Sequence, residues 1–144
     1  ASHDGRFDQF SGTMEHDAAQ LENSTVRITI QMASVQIEPE RLRGHLQSPD
    51  LFDVERFPTA TFESTRIVAG GESATHTVTG NLTLHGQTRS ITFPATIEAS
   101  AAEVHARAEF SINRRDFGIV YPGMPDDLIR DNVVIRFDVH FPRG

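Results

Sequence analysis

The sequence contains no cysteine and no lysine. Without cysteine there is no disulfide framework, no thiolate metal centre and no cysteine nucleophile, and an oxidising compartment is permitted without being required. All 13 basic residues are arginine, which we read as coding bias, because exposed positions rarely demand guanidinium geometry. Positive charge is scarce overall: 13 basic residues against 20 acidic ones leave a net charge of −7. Such a field repels nucleic acid, and no arginine stripe offsets it, so nucleic-acid binding is set aside. Tight adsorption to an anionic membrane is disfavoured on the same ground. No apolar run approaches the roughly 18 residues that a membrane-spanning helix needs. The chain opens on polar Ala1-Ser2-His3-Asp4-Gly5, with no visible signal peptide, as a processed chain or a cytoplasmic one would.

Signatures of catalysis are also missing. There is no G-x-S-x-G, no P-loop and no G-x-G-x-x-G. Gly70-Gly71 reads as turn chemistry, and Asp126-Asp127 after Pro125 as solvated loop carboxylates. The seven histidines (His3, His16, His45, His76, His85, His105, His140) show neither H-x-x-x-H nor paired ligand spacing, so the sequence predicts no metal site unless separate strands converge them. The expectation is a binding protein, not an enzyme.

What the chain has in quantity is alternation with a period of two, the mark of strands with one buried face. Val26, Ile28, Ile30 and Met32 share a face, as do Val78, Leu82 and Leu84, then Ile91, Phe93, Ala95 and Ile97. Val104, Ala106, Ala108, Phe110 and Ile112 form a further row, and so do Val133, Ile135, Phe137, Val139 and Phe141. Weaker segments lie around Arg6–Met14 and Thr59–Val68. About seven strands follow, rich in Val, Ile, Thr and Phe. Ala69-Gly70-Gly71-Glu72 and Leu84-His85-Gly86-Gln87-Thr88 suit hairpin turns. Pro94 within a strand pattern predicts an edge, a bulge or a bend. Glu38–Leu46 suits a short helix with Pro39 in its first turn, and Ser48-Pro49 suits a second capped turn. With 144 residues and no linker or repeat, residues 1–144 read as a single all-β domain, a sandwich or an antiparallel barrel with a short helical insertion.

Three local motifs, in order, resemble those of the YceI-like family. The first is His45-Leu46-Gln47-Ser48-Pro49-Asp50-Leu51-Phe52-Asp53, followed by Phe57-Pro58 and Thr61-Phe62-Glu63-Ser64; the family pattern is close to H-L-x-S-P-D-F-F-D, Y-P and T-F-x-S. The second, Thr79–Gly86, is similar to T-G-D-L-T-I-R-G, and the third, Ile112–Ile119, to I-N-R-x-D-F-G-I. Leu51, Phe57 and Asn81 are mild departures. In the family a long first strand precedes the segment matching Gly5–Gly12; it is missing from this chain, and residues preceding Ala1 are expected in the natural protein. The resemblance implies an eight-stranded lipocalin-like β-barrel whose apolar interior holds a polyisoprenoid or an isoprenoid-quinone tail. It also implies a periplasmic or exported protein, with a cytoplasmic one still open.

Barrel physics points the same way, since an eight-stranded barrel either fills with side chains or holds one small ligand. Candidate walls are Ile28, Ile30, Met32, Phe62, Leu82, Leu84, Phe93, Phe110, Ile112, Ile135 and Phe137; periodicity alone does not separate lining from filling. His45, with Arg43 and Asp50, either fixes a polar head group or orients the helix. Arg114, beside Asp116 and Phe117, either anchors a phosphate-like head or makes a structural ion pair. No cofactor is expected beyond a bound lipid of this kind. Residues 121–127, with Tyr121-Pro122-Gly123-Met124-Pro125, read as a lid or as the docking surface of a homodimer or protein partner. The alternative to lipid binding is a scaffold or accessory subunit with a side-chain-filled barrel.

Overall fold

The computed structural model describes residues 5–15, 21–38, 40–71, 74–121, 123–124, 127–128 and 132–142. In chain order its elements are β1 (Gly5–Phe7), β2 (Phe10–Glu15), β3 (Thr25–Gln31), β4 (Val35–Ile37), α1 (Arg41–Gln47), β5 (Thr59–Ala69), β6 (His76–Leu84), β7 (Gln87–Ala99), β8 (Glu103–Asn113), β9 (Gly123–Met124), β10 (Asp127–Leu128) and β11 (Asn132–Pro142). One seven-stranded antiparallel sheet runs in the order β11-β8-β7-β6-β5-β3-β2, and β1 with β4 and β9 with β10 make two small ladders. The sheet curls until its edge strands approach: a Cβ built on Gly12 of β2 would lie 3.0 Å from the Phe141 ring of β11. This is the lipocalin-like antiparallel architecture that the alternation and the motifs predict.

The predicted apolar rows face inward. They pack as two clusters, one at each end of the curl. Ile67, Val78, Phe93, Ala95, Ile97, Val104, Ala106, Val139 and Phe141 form the first. Met32, Leu51, Ala60, Leu82, Leu84, Ile112, Phe117 and Ile119 form the second. At roughly 25 cal/mol per Å² of apolar surface removed from water, these rows are the main force holding the sheet in its curl.

Local chemistry departs from the sequence reading in four places. The Arg6–Met14 segment is two strands, because Ser34 interrupts it: Asp8 N–H donates to the Ser34 carbonyl at 3.3 Å and Gln9 N–H to Ser34 Oγ at 3.0 Å. Met32 does not continue β3 but opens a 3-10 turn, Met32–Ser34. The helix starts at Arg41, later than Glu38; Pro39 lies outside the described residues. Ser48 opens the turn that the sequence suggested, its carbonyl accepting from Leu51 N–H at 3.0 Å, but its hydroxyl points back to the helix before it. Its N–H and Oγ both donate to the His45 carbonyl, satisfying the orphan acceptor of a helix C-terminus.

The hairpin between β6 and β7 matches its sequence signal. Leu84 pairs with Gln87, and both turn residues, His85 and Gly86, have positive φ, the signature of a type I′ turn. Pro94 marks a divergence. β7 pairs with β8 only from Ala95 to Ala99, while its pairing with β6 continues through Pro94 to Gln87. β7 is therefore a central strand over one half and, toward β8, an edge over the other. Proline, with no N–H to donate, sits where the ladder stops.

Gly80 has a packing reason. A Cβ there would lie 2.4 Å from Phe62 Cζ and 2.6 Å from the Glu63 carbonyl oxygen, beside the β-bulge between Ser64 and Arg66. Gly80→Ala is therefore expected to displace Phe62 and to destabilise the fold by about 1–3 kcal/mol, measured by urea unfolding. Gly44→Ala, with nothing within 4 Å of the new Cβ, is expected to be neutral or to stabilise by up to ~1 kcal/mol. Equal effects of the two substitutions would contradict this packing.

Candidate ligand-binding interior

Between the two end clusters, the inward face is not closed. Phe62, Ile91 and Phe110 border both clusters, and all three are only half-buried. Ile28, Ile30, Ile135 and Phe137 are half-buried too; Ile28 stands opposite Phe62 in the ladder and shares its face. Aromatic rings bridge this waist. Phe93, 2% exposed, stacks on Phe110 at 4.4 Å and 13°, and meets Phe62 at 5.6 Å and Phe137 edge-on at 5.8 Å. Rings in such offset and edge-to-face arrangements hold four strands in fixed relation.

The remaining wall candidates fall deeper. Leu82, Leu84 and Ile112 are buried in the second cluster, as are Met32 and Phe117. They close that end, and Ile112 and Phe117 among them also border the groove between β7 and β8. Arg114 is 3% exposed, and its Nη1 donates to the Ile119 carbonyl at 2.6 Å, which clamps the 3-10 turn Arg114–Phe117 to the chain that leaves it. His45 Nε2 lies 3.6 Å from Asp50 Oδ2, and its ring meets Tyr121 edge-on at 5.2 Å. Arg43 Nε is buried with no hydrogen-bond partner. The sequence reading grouped Arg43, His45 and Asp50; the structure joins only the last two. Of the 121–127 segment, Met124 pairs with Asp127 and Gly123 with Leu128; Pro122, Pro125 and Asp126 lie outside the described residues.

Where β8 leaves β7, a groove of about 540 Å³ opens, lined by Arg89, Ser90, Ile91, Ser111, Ile112, Asn113, Asp116 and Phe117. Arg89 Nε donates to the Asp116 carbonyl at 3.0 Å across it. Neither Arg89 nor Ile91 is among the site residues expected from the sequence, although both stand in step with Phe93 and Ala95. That parity was the available signal. The β7–β8 parting itself left only Pro94 as a sign, because a period of two says which face a residue takes and not which strand lies beside it.

These features match known proteins. The model of the YceI-like domain matches residues 1–141. The chain belongs to the YceI-like family. A UPF0312 protein of Pseudomonas putida (strain W619) is 37% identical over 125 residues, 83% of this chain and 65% of that protein; one of Pseudomonas syringae pv. tomato is also 37% identical, with the same shares. The chain thus spans 65% of the length of these curated relatives. Burkholderia cenocepacia BcnA superposes with a TM-score of 0.83 at 27% identity, covering 94% of this chain and 86% of that one. A polyisoprenoid binding domain from Saccharophagus degradans, implicated in plant cell wall breakdown, shares the fold with a TM-score of 0.74 at 18% identity, over 97% of this chain and 85% of that one.

If the β7–β8 parting is an opening, its backbone should exchange. Alternate amides from Gln87 to Phe93, those turned toward β8, are expected to exchange roughly 100-fold faster than those of Ala95–Ala99 in native-state hydrogen exchange. Uniform protection along β7 would mean that the strands zip together in solution.

Proposed function

We propose that this YceI-like chain binds one long-chain apolar lipid, a polyisoprenoid or an isoprenoid-quinone tail, in the interior of the curled sheet, and that it catalyses no reaction. The observation that carries the reading is the half-exposed inner waist, where Ile28, Ile30, Phe62, Phe110, Ile135 and Phe137 present apolar surface between two packed ends. Apolar side chains left in this state favour any chain that covers them. Each methylene taken from water contributes ~0.8 kcal/mol, so about ten buried carbons offset much of the cost of association. Branched isoprene units suit smooth apolar walls, which need few polar contacts. The name of the Saccharophagus degradans domain supports the same ligand class.

In this reading the groove between β7 and β8 is the way in, with Arg89 and Asp116 at its rim. Leu82, Leu84, Ile112, Met32 and Phe117 form the floor. His45 is held by Asp50 and Tyr121 and orients α1. We place this work in the periplasm or outside the cell. A barrel filled by its own side chains, acting as an accessory subunit, is the competing reading; it requires the inner waist to be covered, and the half-exposed residues speak against it.

Titration with polyprenyl alcohols of increasing length separates the two. Affinity is expected to rise with each isoprene unit until the interior is full, and Phe110→Glu is expected to abolish binding by placing a charge against the chain. Val134→Glu, at a position 54% exposed, is expected to leave binding unchanged. Affinity independent of chain length, or a Phe110→Glu variant that binds normally, would refute lipid capture in the interior.

A further inference from the structure

The outer face of β8 and β11 carries a group of ligating side chains that the lipid reading does not use. The antiparallel register sets His140 directly opposite His105, with Glu103 opposite Pro142 and Asp138 opposite Arg107. The two imidazoles stack at 4.1 Å and 9°. His105 Nε2 donates to Asp138 Oδ1 at 2.6 Å, and His140 Nε2 lies 3.4 Å from the same oxygen. One ligand atom from each of His105, Asp138 and His140 falls within 4.8 Å of the other two.

We propose that His105, Asp138 and His140 form a surface site for a divalent transition-metal cation such as zinc, with Glu103 as the carboxylate that orients His140. Two imidazole nitrogens and a carboxylate oxygen are a zinc donor set, and three protein ligands leave a fourth tetrahedral position for water. With bonds of about 2.0–2.2 Å, tetrahedral ligand atoms stand ~3.3 Å apart, near the 3.4 Å already found between His140 Nε2 and Asp138 Oδ1. The cation takes the place of the Nε2 proton that His105 now gives to Asp138. His140 Nδ1 is hydrogen-bonded to Glu103 Oε2, which fixes the tautomer with Nε2 free, as a carboxylate–histidine–metal relay requires.

The surroundings favour a cation. Arg107, opposite Asp138, is drawn off to Glu98 at 3.3 Å, and Glu98 is itself the cross-strand neighbour of His105. With neutral imidazoles, Glu103 and Asp138 carry a local charge of −2, and among the described residues their ion-pair partners are the two histidines. The ligand strands are also stiff here. Val104, Ala106, Val139 and Phe141, which alternate with the ligands along β8 and β11, are buried in the first core cluster. Glu103, first through its hydrogen bond, and Asp138 hold the His140 pKa above the ordinary imidazole value. A proton therefore competes for this ring, and metal binding is best measured above the imidazole range.

The probes are zinc and cobalt(II), titrated calorimetrically and by visible absorption into the full chain at about pH 8. The expected result is one equivalent of zinc, a four-coordinate cobalt spectrum displaced by zinc, and a raised unfolding midpoint with metal. His105→Asn and His140→Asn, on the outer face of the sheet and outside both core clusters, are each expected to remove that equivalent. Glu103→Gln is expected to weaken it about 10–100-fold. Absence of a stoichiometric equivalent in the unaltered chain overturns the proposal. So does an equivalent that survives both histidine substitutions, which would assign it to other histidines of the chain.

Discussion

Phe93 is the point at which the curl is held. It is a buried ring on β7 that touches rings from β5, β8 and β11, strands that lie on both sides of it in the sheet. A flat sheet would not bring these rings together; a right-handed twist and a deep curl do. The three partners each spend part of their surface on Phe93 and stay only half-buried. The contact that bends the sheet therefore also leaves its apolar waist incompletely covered. Stability at the two ends and an incompletely covered middle follow from one arrangement.

Much of the fold was legible in the sequence because alternation reports burial directly. The rows Val104–Ile112 and Val133–Phe141 could be placed on one face from their spacing, and His85-Gly86 could be read as a tight turn from its residue types. Met32 misled because a continued apolar parity does not reveal where a strand ends; the 3-10 turn that begins there depends on Ser34 and Gln9. Ser48 marked its turn correctly, but residue type alone did not say that its hydroxyl would serve the C-terminus of α1 instead. The parting of β7 from β8 was foreshadowed only by Pro94.

The candidate site was legible in its walls and not in its openings. Inward parity selected Phe62, Phe110, Ile135 and Phe137 correctly as inner residues, yet it also selected Leu82, Leu84 and Ile112, which the second cluster covers. Only packing distinguishes the two groups. The histidines show the complementary case. His105 and His140 lie 35 positions apart in the chain, and no linear spacing rule connects them; the register of β8 with β11 does. Inner and outer faces of the same two strands thus carry separate chemistries, an apolar wall inside and a polar ligand set outside.

The central claim is that the uncovered waist holds a lipid chain. Its most direct test is mass spectrometry of an organic extract of the natively purified protein, alongside native mass spectrometry of the intact molecule. The account predicts a stoichiometric isoprenoid or other long-chain apolar species, with a matching mass on the intact protein. A clean extract and a bare protein mass, persisting after exposure to polyprenyl lipid, would contradict it.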